Sequence, residues 1–377
     1  MRSLALAALT AACAFAARVE AQANLSTQGF GYAPGQLSTR SLGTGGAIAE
    51  LDPLSPINPA SLALHQSRIV EFQIEPEFRT LNSPNGSEKT TVARYPNVGV
   101  AFPVGKGWVL GAGASTLLDR TSTTEFNSTQ ILPGPDTVEM HTISSISGAM
   151  SDVRLAAGYN VKPWLRIGFG IHGIVGHNLD SIAQSFTDSV RFQRFSQSLV
   201  LDFTGLAGSA GVQMTSKNWG FGISGRVGGN LHTSVEDSVL SRAKVPSRIG
   251  ATLAYTGLAN SAFAIRTSRD GWSSLNGLGT ATMQAVDAWD SSIGADIAGP
   301  KMGNRILFLR GGLRTRTLPF QANGHDVTEN SVTGGFGTTF ANGRVLTDFA
   351  TIYARRSADI TASEHAWTLS IGIAVRP

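Results

Sequence analysis

The chain has 377 residues, with 30 Lys and Arg against 26 Asp and Glu, so its formal net charge is only +4. Charged residues are 15% of the chain, against about 25% in ordinary soluble domains, whereas glycine is abundant at 43 residues. The mild charge and the lack of a basic run give no indication of nucleic-acid binding. One cysteine, Cys13, cannot form an internal disulfide framework.

The first 23 residues have the pattern of a signal peptide. Arg2 gives a positive start, an apolar run follows over residues 4–17, and Ala21-Gln22-Ala23 is a small-residue cleavage pattern. The run is too short for a helix that spans a bilayer, which needs about 20 residues. We therefore predict export and cleavage near Ala23. The alternative is a lipoprotein anchored at Cys13, but the apolar run continues through that residue.

Residues 24–67 do not have the pattern of strands. They are rich in Gly, Ala and Ser, they lack sustained alternation, and three prolines fall between Asp52 and Pro59 inclusive. This segment is followed by a change in pattern at about residue 68.

From residue 68 onward, many short segments alternate between apolar and small or polar residues. In the last one the apolar positions are Trp367, Leu369, Ile371, Ile373 and Val375. Since successive side chains of a strand point to opposite faces, one face of this segment is apolar and the other is small or polar. The segments 153–161, 164–175, 219–227 and 249–256 repeat the pattern.

The alternation predicts fourteen strands, an even number as in single-chain bacterial barrels. They are 68–79, 93–104, 107–120, 151–161, 163–176, 198–214, 217–230, 246–256, 260–268, 288–298, 304–316, 330–341, 344–355 and 365–376. A further strand in 136–147 or 183–194 would make sixteen. Tight connections at 103–107, 160–163 and 341–343 predict periplasmic turns. The longer polar stretches 121–150, 177–197, 229–245 and 269–287 predict extracellular loops.

Two features favour a transmembrane barrel over a soluble β-sandwich, which also alternates. Trp108, Trp164, Trp219 and Trp367 fall near strand ends, where an interfacial girdle would place them. The face opposite the apolar one is rich in Gly, Ser and Arg, as expected of a crowded lumen. We predict an all-β fold, a transmembrane antiparallel β-barrel in the cell outer membrane of a Gram-negative-type bacterium. Residues 24–67 would form an N-terminal hatch and 68–377 the barrel.

Within the predicted hatch, residues 41–62 resemble a known family. The run Ser41-Leu42-Gly43-Thr44-Gly45-Gly46-Ala47-Ile48-Ala49 is followed by Asp52 and by Asn58-Pro59-Ala60-Ser61-Leu62. This is similar to the hatch of the FadL-type outer-membrane transporters of hydrophobic compounds, a superfamily that includes shuttle barrels of type IX secretion. The chain departs from many barrels in ending with Val375-Arg376-Pro377 and not with an aromatic residue.

The resemblance implies passive uptake of long-chain fatty acids or other hydrophobic compounds. The ligand would bind among extracellular loops, pass to a pocket beside the hatch, and leave through a gap in the wall caused by a kinked strand. The hatch or gating candidates are then Gly43, Gly45, Gly46, Asp52, Asn58, Pro59 and Ala60. A structural role, in which the same motif caps the hatch and starts the first strand, stays open.

A non-transporting barrel, acting as a secretion shuttle, an attachment component or a structural protein, is the alternative function. Apolar extracellular loops would favour transport, because they form a landing surface for a greasy ligand. The stretches 121–150 and 177–197 are largely polar, with scattered Phe126, Ile131, Leu132 and Phe186.

Several arginines fall at positions predicted to face the lumen. They are Arg154, Arg166, Arg226, Arg248, Arg310 and Arg314. A guanidinium group matches a carboxylate head group, so these residues are ligand candidates. The interpretation that we favour is pairing with luminal acids such as Glu50 and Asp52.

No catalytic, nucleotide or metal motif is evident. Gly43, Gly45 and Gly46 follow no strand and precede no GKS or GKT. His172 and His177 have no HExxH context, there is no GxSxG, and no Ser–His pair stands out. We expect no enzyme activity, no cofactor and no metal. The expected partners are outer-membrane lipid, a hydrophobic small molecule and the barrel assembly machinery, with no nucleic acid; the chain is expected to be a monomer.

Overall fold

The computed structural model describes residues 25–27, 30–83, 86–131, 137–236, 238–278, 284–302, 305–358 and 362–377. The predicted signal peptide and its cleavage site lie outside these ranges and stay predictions. Among the described residues, no helix has the length and apolar character needed to cross a membrane.

Sixteen strand segments form one antiparallel sheet. They are β1 (Ile69–Ser83), β2 (Gly86–Gly105), β3 (Trp108–Asp119), β4 (Ser122–Ile131), β5 (Thr137–Lys162), β6 (Leu165–Phe186), β7 (Phe195–Thr215), β8 (Trp219–Val235), β9 (Ser238–Lys244), β10 (Arg248–Tyr255), β11 (Ala262–Asp270), β12 (Ala288–Met302), β13 (Arg305–Thr317), β14 (Thr328–Phe340), β15 (Val345–Ser357) and β16 (Ser363–Val375). Within the described ranges there are also one α-helix, α1 (Thr39–Gly43), and 3₁₀ helices at Pro59–Leu64, Trp272–Leu275 and Ala341–Gly343.

The sheet closes on itself, because β1 pairs with both β2 and β16 and β8 pairs with β10. β4 pairs with the far part of β5 and continues the path of β3, while β9 pairs with the far part of β8 and leads into β10. Sixteen segments therefore occupy fourteen wall positions. The prediction of a fourteen-strand antiparallel barrel is confirmed.

The predicted extracellular loops 121–150 and 177–197 are largely wrong. β4, β5 and β6 extend through most of these residues, and the ends of β8 and β9 occupy much of 229–245. In the fourth predicted loop, the described residues 271–278 and 284–287 lie outside the strands. The extensions escaped recognition because both of their faces are polar, so the alternation that marks a strand at a lipid boundary is lost above the membrane.

The outer face of the barrel is apolar. Ile171, Leu206 and Val227 are 65%, 71% and 75% exposed, which suits contact with lipid. Near the turns at the end of the barrel where β1 begins, Trp108 packs on Tyr159 and Trp219 on Tyr255, with ring centroids 4.6 and 5.1 Å apart. Aromatic residues also cluster toward the opposite end, at Trp289, Tyr353 and Trp367. Two such bands are typical of membrane–water interfaces.

Residues 25–27 and 30–67 lie inside the barrel, and we call them the luminal segment. Ala47, Ala49 and Glu50 have no accessible surface. Helix α1 packs against β13–β16, and the 3₁₀ helix at Pro59–Leu64 packs against β3 and β5–β7. The segment runs from the extracellular end, where Tyr32 bridges to Asp119, down to the start of β1.

Candidate functional site: the luminal segment and the break in the wall

The lower end of the luminal segment is fitted closely to the wall. Asn58 caps the 3₁₀ helix, since its Oδ1 accepts a hydrogen bond from the backbone N–H of Ala60 at 3.0 Å. Its Nδ2 donates to the carbonyl of Glu50 at 2.7 Å. Pro59 occupies the first turn, where no N–H is needed. A Cβ on Gly168 of β6 would lie only 2.3 Å from the nitrogen of Ala60, so glycine is required there.

The glycine run of the luminal segment turns against β13. Gly45 and Gly46 have φ values of +68° and +89°, which favour glycine. A Cβ on Gly45 would lie 3.0 Å from the carbonyl of Leu313, and one on Gly43 would lie 3.2 Å from the Cβ of Arg310. These glycines allow a tight turn and a close approach to the wall.

Asp52 organises the middle of the luminal segment. Its carboxylate accepts hydrogen bonds from the hydroxyl groups of Ser38, Ser41 and Ser55, the last two at 2.9 and 3.1 Å. Arg40 lies 3.8 Å away as an ion-pair partner. All of these partners of Asp52 belong to the luminal segment. Arg40 also links the segment to the wall, because it pairs with Asp296 of β12 at 2.9 Å.

The predicted luminal arginines are mostly buried and paired with acids. The pairs are Arg226–Asp152 at 3.1 Å, Arg248–Glu50 at 2.5 Å, Arg310–Asp348 at 2.6 Å and Arg314–Asp290 at 2.8 Å. Arg154 donates to the carbonyl of Pro56. Arg166 is half-buried near the turn between β5 and β6, with weak hydrogen bonds to Thr215 and Pro163 at 3.5 and 3.4 Å. Head-group binding by any of them stays a prediction.

A cluster around Tyr32 was not identified from the sequence. Four guanidinium groups surround its ring, those of Arg79, Arg94, Arg316 and Arg356, at 5.3, 4.7, 5.1 and 4.6 Å from the ring centroid. Their carboxylate partners are Glu77, Glu329, Glu364 and Asp119. We call these nine residues the Tyr32 cluster.

The hydroxyl of Tyr32 is satisfied in this cluster from three sides. It accepts from Arg356 at 3.0 Å and from Arg316, and it donates to the Glu329 carboxylate at 3.2 Å. Cations over an aromatic face and charge-assisted hydrogen bonds both strengthen away from water. The cluster therefore holds the upper end of the luminal segment to the seven wall strands that carry its arginines and acids, β1, β2, β3, β13, β14, β15 and β16.

The wall is interrupted beside this cluster. β2 pairs with β1 along nearly its whole length, but its ladder to β3 runs only between Asn97 and Gly105. Beyond Thr116 a bulge turns β3 inward, so that Leu117, Leu118 and Asp119 are buried. Within the described residues, positions 87–96 of β2 have no ladder partner on the β3 side. We call this opening the wall break.

Side chains and the luminal segment close the wall break. Tyr32 forms an antiparallel bridge with Asp119, with N–H to carbonyl distances of 2.7 and 2.8 Å in the two directions. Arg94 of β2 reaches across and donates from Nε to the Asp119 carboxylate at 2.6 Å. Tyr32 thus takes the ladder position that a neighbouring wall strand would otherwise fill.

The cavities beside the luminal segment are small and polar. One of about 30 Å³ borders Tyr32, Leu42 and Gly45, and one of about 40 Å³ borders Gln36 and Trp272. Arginines and acids line both. These volumes hold little more than a water molecule or two, so a larger compound enters the lumen only if the luminal segment moves.

An apolar cap covers the extracellular end of the lumen. Its buried members include Leu117 and Leu118 of β3, Trp272 and Leu275 of the loop after β11, and Phe320 after β13. The stretches 121–150 and 177–197, predicted to be largely polar extracellular loops, are mostly polar wall. The apolar residues come from shorter loops and from the inward turn of β3, which periodicity does not reveal.

Among the described residues, no three His, Cys, Asp or Glu side chains form a group that could hold a metal ion.

Solved structures with the same architecture were found by comparison. A Pseudomonas aeruginosa FadL homologue matches with a TM-score of 0.60 and 12% identity, covering 92% of this chain and 99% of that one. The P. putida toluene transporter TodX matches with a TM-score of 0.60 and 14% identity, over 89% and 97%. The chain has the FadL-type barrel fold.

The same FadL-type fold is found in the Ralstonia pickettii toluene transporter TbuX, with a TM-score of 0.55 and 15% identity over 90% of this chain and 98% of that one. No protein-family model and no curated protein sequence matches the chain. At this level of identity the likeness establishes the FadL-type fold and leaves the ligand to be argued from the site.

Proposed function

We propose that the chain is an outer-membrane channel for the passive uptake of hydrophobic compounds, which leave the lumen sideways through the wall break. The observation that carries this proposal is the short ladder between β2 and β3, closed by Tyr32 and not by a strand. A wall closed in this way can open without breaking a ladder of hydrogen bonds between two strands.

A lateral exit suits an apolar solute. Burial of each CH₂ group contributes about 0.8 kcal/mol, so a route that ends in lipid spares the compound a passage through water. The apolar cap at the extracellular end would be the first contact. An exit beside the lipid-facing surface is supported by Tyr95, which is 64% exposed and faces outward at the lower end of the wall break.

Opening would begin at the Tyr32 cluster. Release of the bridge between Tyr32 and Asp119 would free the inward turn of β3 and join the apolar cap to the wall break. The predicted gating residues Gly43, Gly45, Gly46, Asp52, Asn58, Pro59 and Ala60 would then act as the frame on which the upper end moves.

Compact hydrocarbons are the first ligand class to test, ahead of long-chain fatty acids. The small cavities of the closed state favour a short displacement of the luminal segment over a long one. TodX and TbuX, which share the fold, are named as toluene transporters. Long-chain fatty acids, and head-group binding by the luminal arginines, form the second class.

The experiment locks and releases the wall break. Tyr32→Cys with Asp119→Cys places two thiols at an antiparallel bridge, where Cα atoms lie about 5.5 Å apart, within reach of a disulfide. Cells of a host without its own transporters would be given labelled toluene or oleate, before and after reduction. We expect uptake to be low when oxidised and to rise on reduction.

The matched control is Ala254→Cys with Ala264→Cys, a register pair in the continuous wall between β10 and β11. Its uptake should be the same in both redox states. Equal uptake by the oxidised and reduced Tyr32–Asp119 pair would reject the lateral exit at this site. Uptake of neither compound above that of cells without the protein would favour the alternative, a non-transporting barrel.

A further inference from the structure

Three wall strands bring an acid, a histidine and a serine into line inside the lumen. Asp152 Oδ1 of β5 lies 2.7 Å from His172 Nδ1 of β6, and His172 Nε2 lies 2.8 Å from Ser209 Oγ of β7. None of the three belongs to the Tyr32 cluster or borders the wall break. The proposed transport route therefore gives them no role.

The register explains how they meet. His172 is the direct partner of Arg154 on β5 and of Ala207 on β7. Asp152 and Ser209 are each two residues from those partners, so they are diagonal neighbours of His172 on the same face. Diagonal pairs in an antiparallel ladder lie about 7–8 Å apart, a distance that an imidazole ring spans with a hydrogen bond at each end.

The hydrogen bonds of Asp152 determine which nitrogen of His172 carries a proton. The other carboxylate oxygen of Asp152 accepts from Gln36 at 2.9 Å and from Arg226 at 3.1 Å. A carboxylate held in this way only accepts, so Nδ1 of His172 must carry its proton. The lone pair of Nε2 then faces the hydroxyl of Ser209. A serine, a base and a group that orients the base are the parts of an activated nucleophile.

The serine faces accessible space. Ser209, Gly170 and Ala207 all point inward, yet each keeps part of its surface accessible. Toward the extracellular end, Ile174 and Phe203 are buried in the apolar cap. Toward the other end, the luminal segment covers the wall at Gly168 and Gly211. The neighbours of Ser209 on this face, its register partner Gly170 and Ala207, are small, which favours a short acyl chain as the substrate.

We propose that Ser209 is a nucleophile, activated by His172 and Asp152, that hydrolyses short-chain carboxylic esters that reach its hydroxyl group. Ser209 Oγ attacks the carbonyl carbon as its proton passes to His172 Nε2. The ester C–O bond then breaks, and the alcohol leaves with that proton. Water attacks the acyl-serine, gives one proton to His172, and releases the acid as Ser209 regains its hydrogen. The net change is ester and water to acid and alcohol.

Arg226 helps to hold the Asp152 carboxylate in place. It is the register partner of Ser209 across β7 and β8, and its guanidinium group contacts the Asp152 carboxylate.

The test is covalent labelling of the folded chain in detergent with diisopropyl fluorophosphate, followed by peptide mass spectrometry. We expect an adduct at Ser209. The internal control is Ser224, an inward serine of β8 whose hydroxyl donates to Glu50 and contacts no histidine. His172→Gln should slow labelling of Ser209 about 100-fold, the usual contribution of a general base.

Turnover gives a second readout. The wild type should hydrolyse p-nitrophenyl butyrate, and Ser209→Ala, which removes one hydroxyl, should abolish this even if His172→Gln fails to fold. The proposal would be overturned if the folded wild type formed no adduct at Ser209, or formed it no faster than at Ser224. Equal labelling in folded His172→Gln would do the same.

Discussion

At the upper end of the luminal segment, Tyr32 is held by four guanidinium groups that are themselves paired with carboxylates, whereas at the lower end Asn58–Leu64 packs against wall glycines. The upper contacts are many side-chain interactions, each replaceable. At the lower end, the backbone of the luminal segment lies so close to wall glycines such as Gly168 that a Cβ atom there would not fit. We infer that the lower end is a fixed anchor and the upper end is the part that moves.

The largest effect is expected when the upper network is broken at its most connected residue. Arg356 is 1% exposed and pairs with Glu77, Glu329 and Glu364. Arg356→Ala leaves these carboxylates buried without it, and removal of one partner of a buried ion pair costs about 3–5 kcal/mol. The free energy of unfolding, measured by urea titration in detergent, should fall by that amount. The neighbouring outward-facing Arg355→Ala is the control and should change it little.

The lower anchor should respond to added volume. Gly168→Val places a Cβ within 2.3 Å of the backbone at Pro59 and Ala60, and overpacking costs about 1–3 kcal/mol. We expect less folded, heat-modifiable barrel on gels, with no gain in uptake. Gly334→Val on β14 is matched to it, since a Cβ there meets nothing within 4 Å. Similar behaviour of the two variants would argue against a fixed anchor.

Tyr32→Phe weakens the upper end without removing the ring. It deletes a hydroxyl bonded to charged groups, and each such hydrogen bond contributes about 1.5–3 kcal/mol. If the open state lacks these bonds, the open fraction rises about tenfold for every 1.4 kcal/mol lost. Uptake of labelled hydrocarbon should increase accordingly. Tyr353→Phe, which loses an exposed hydrogen bond to His365, should leave uptake unchanged; an increase there too would contradict the assignment.

The smallest effect concerns pH at the lower end. Burial lowers the pKa of the His65 imidazole, which lies between the 3₁₀ helix and β1 and contacts the Pro53 carbonyl at 3.3 Å. The folded state favours the neutral ring, so its stabilisation is complete above the ordinary value of about 6.5 and declines as pH falls below it. Gel-shift melting at pH 7.5 and 5 should show a lower midpoint at pH 5. His65→Gln should remove that part of the difference.

The sequence was sufficient for the barrel, because lipid on one side and a crowded lumen on the other impose alternation on every wall strand. It was insufficient above the membrane, where β4 and the far part of β5 carry polar residues on both faces. The six luminal arginines were found by their inward parity. Their partners were mostly not, since Asp290 and Asp348 are joined to Arg314 and Arg310 only by strand register.

Long-range pairs set the limit of prediction at the site. Tyr32 and Asp119 belong to no motif, and their bridge depends on the inward turn of β3. Asp152, His172 and Ser209 stand 20 and 37 residues apart, without the local GxSxG that would have drawn attention to them. Glycines at wall positions such as Gly168 looked like ordinary small residues until the segment that presses on them was placed.

The last strand, β16, contacts residues of the luminal segment, which are synthesised much earlier. Ser26 donates to the Glu364 carboxylate at 3.2 Å through its N–H, and the hydroxyl groups of Thr39 and Ser370 lie 2.8 Å apart. β16 also completes the ring against β1. We therefore expect the pairing of β1 with β16 and the insertion of the luminal segment to be linked during biogenesis. We expect the barrel to close around the luminal segment while it is bound to the assembly machinery. A chain without residues 25–40 should stall before β1 pairs with β16.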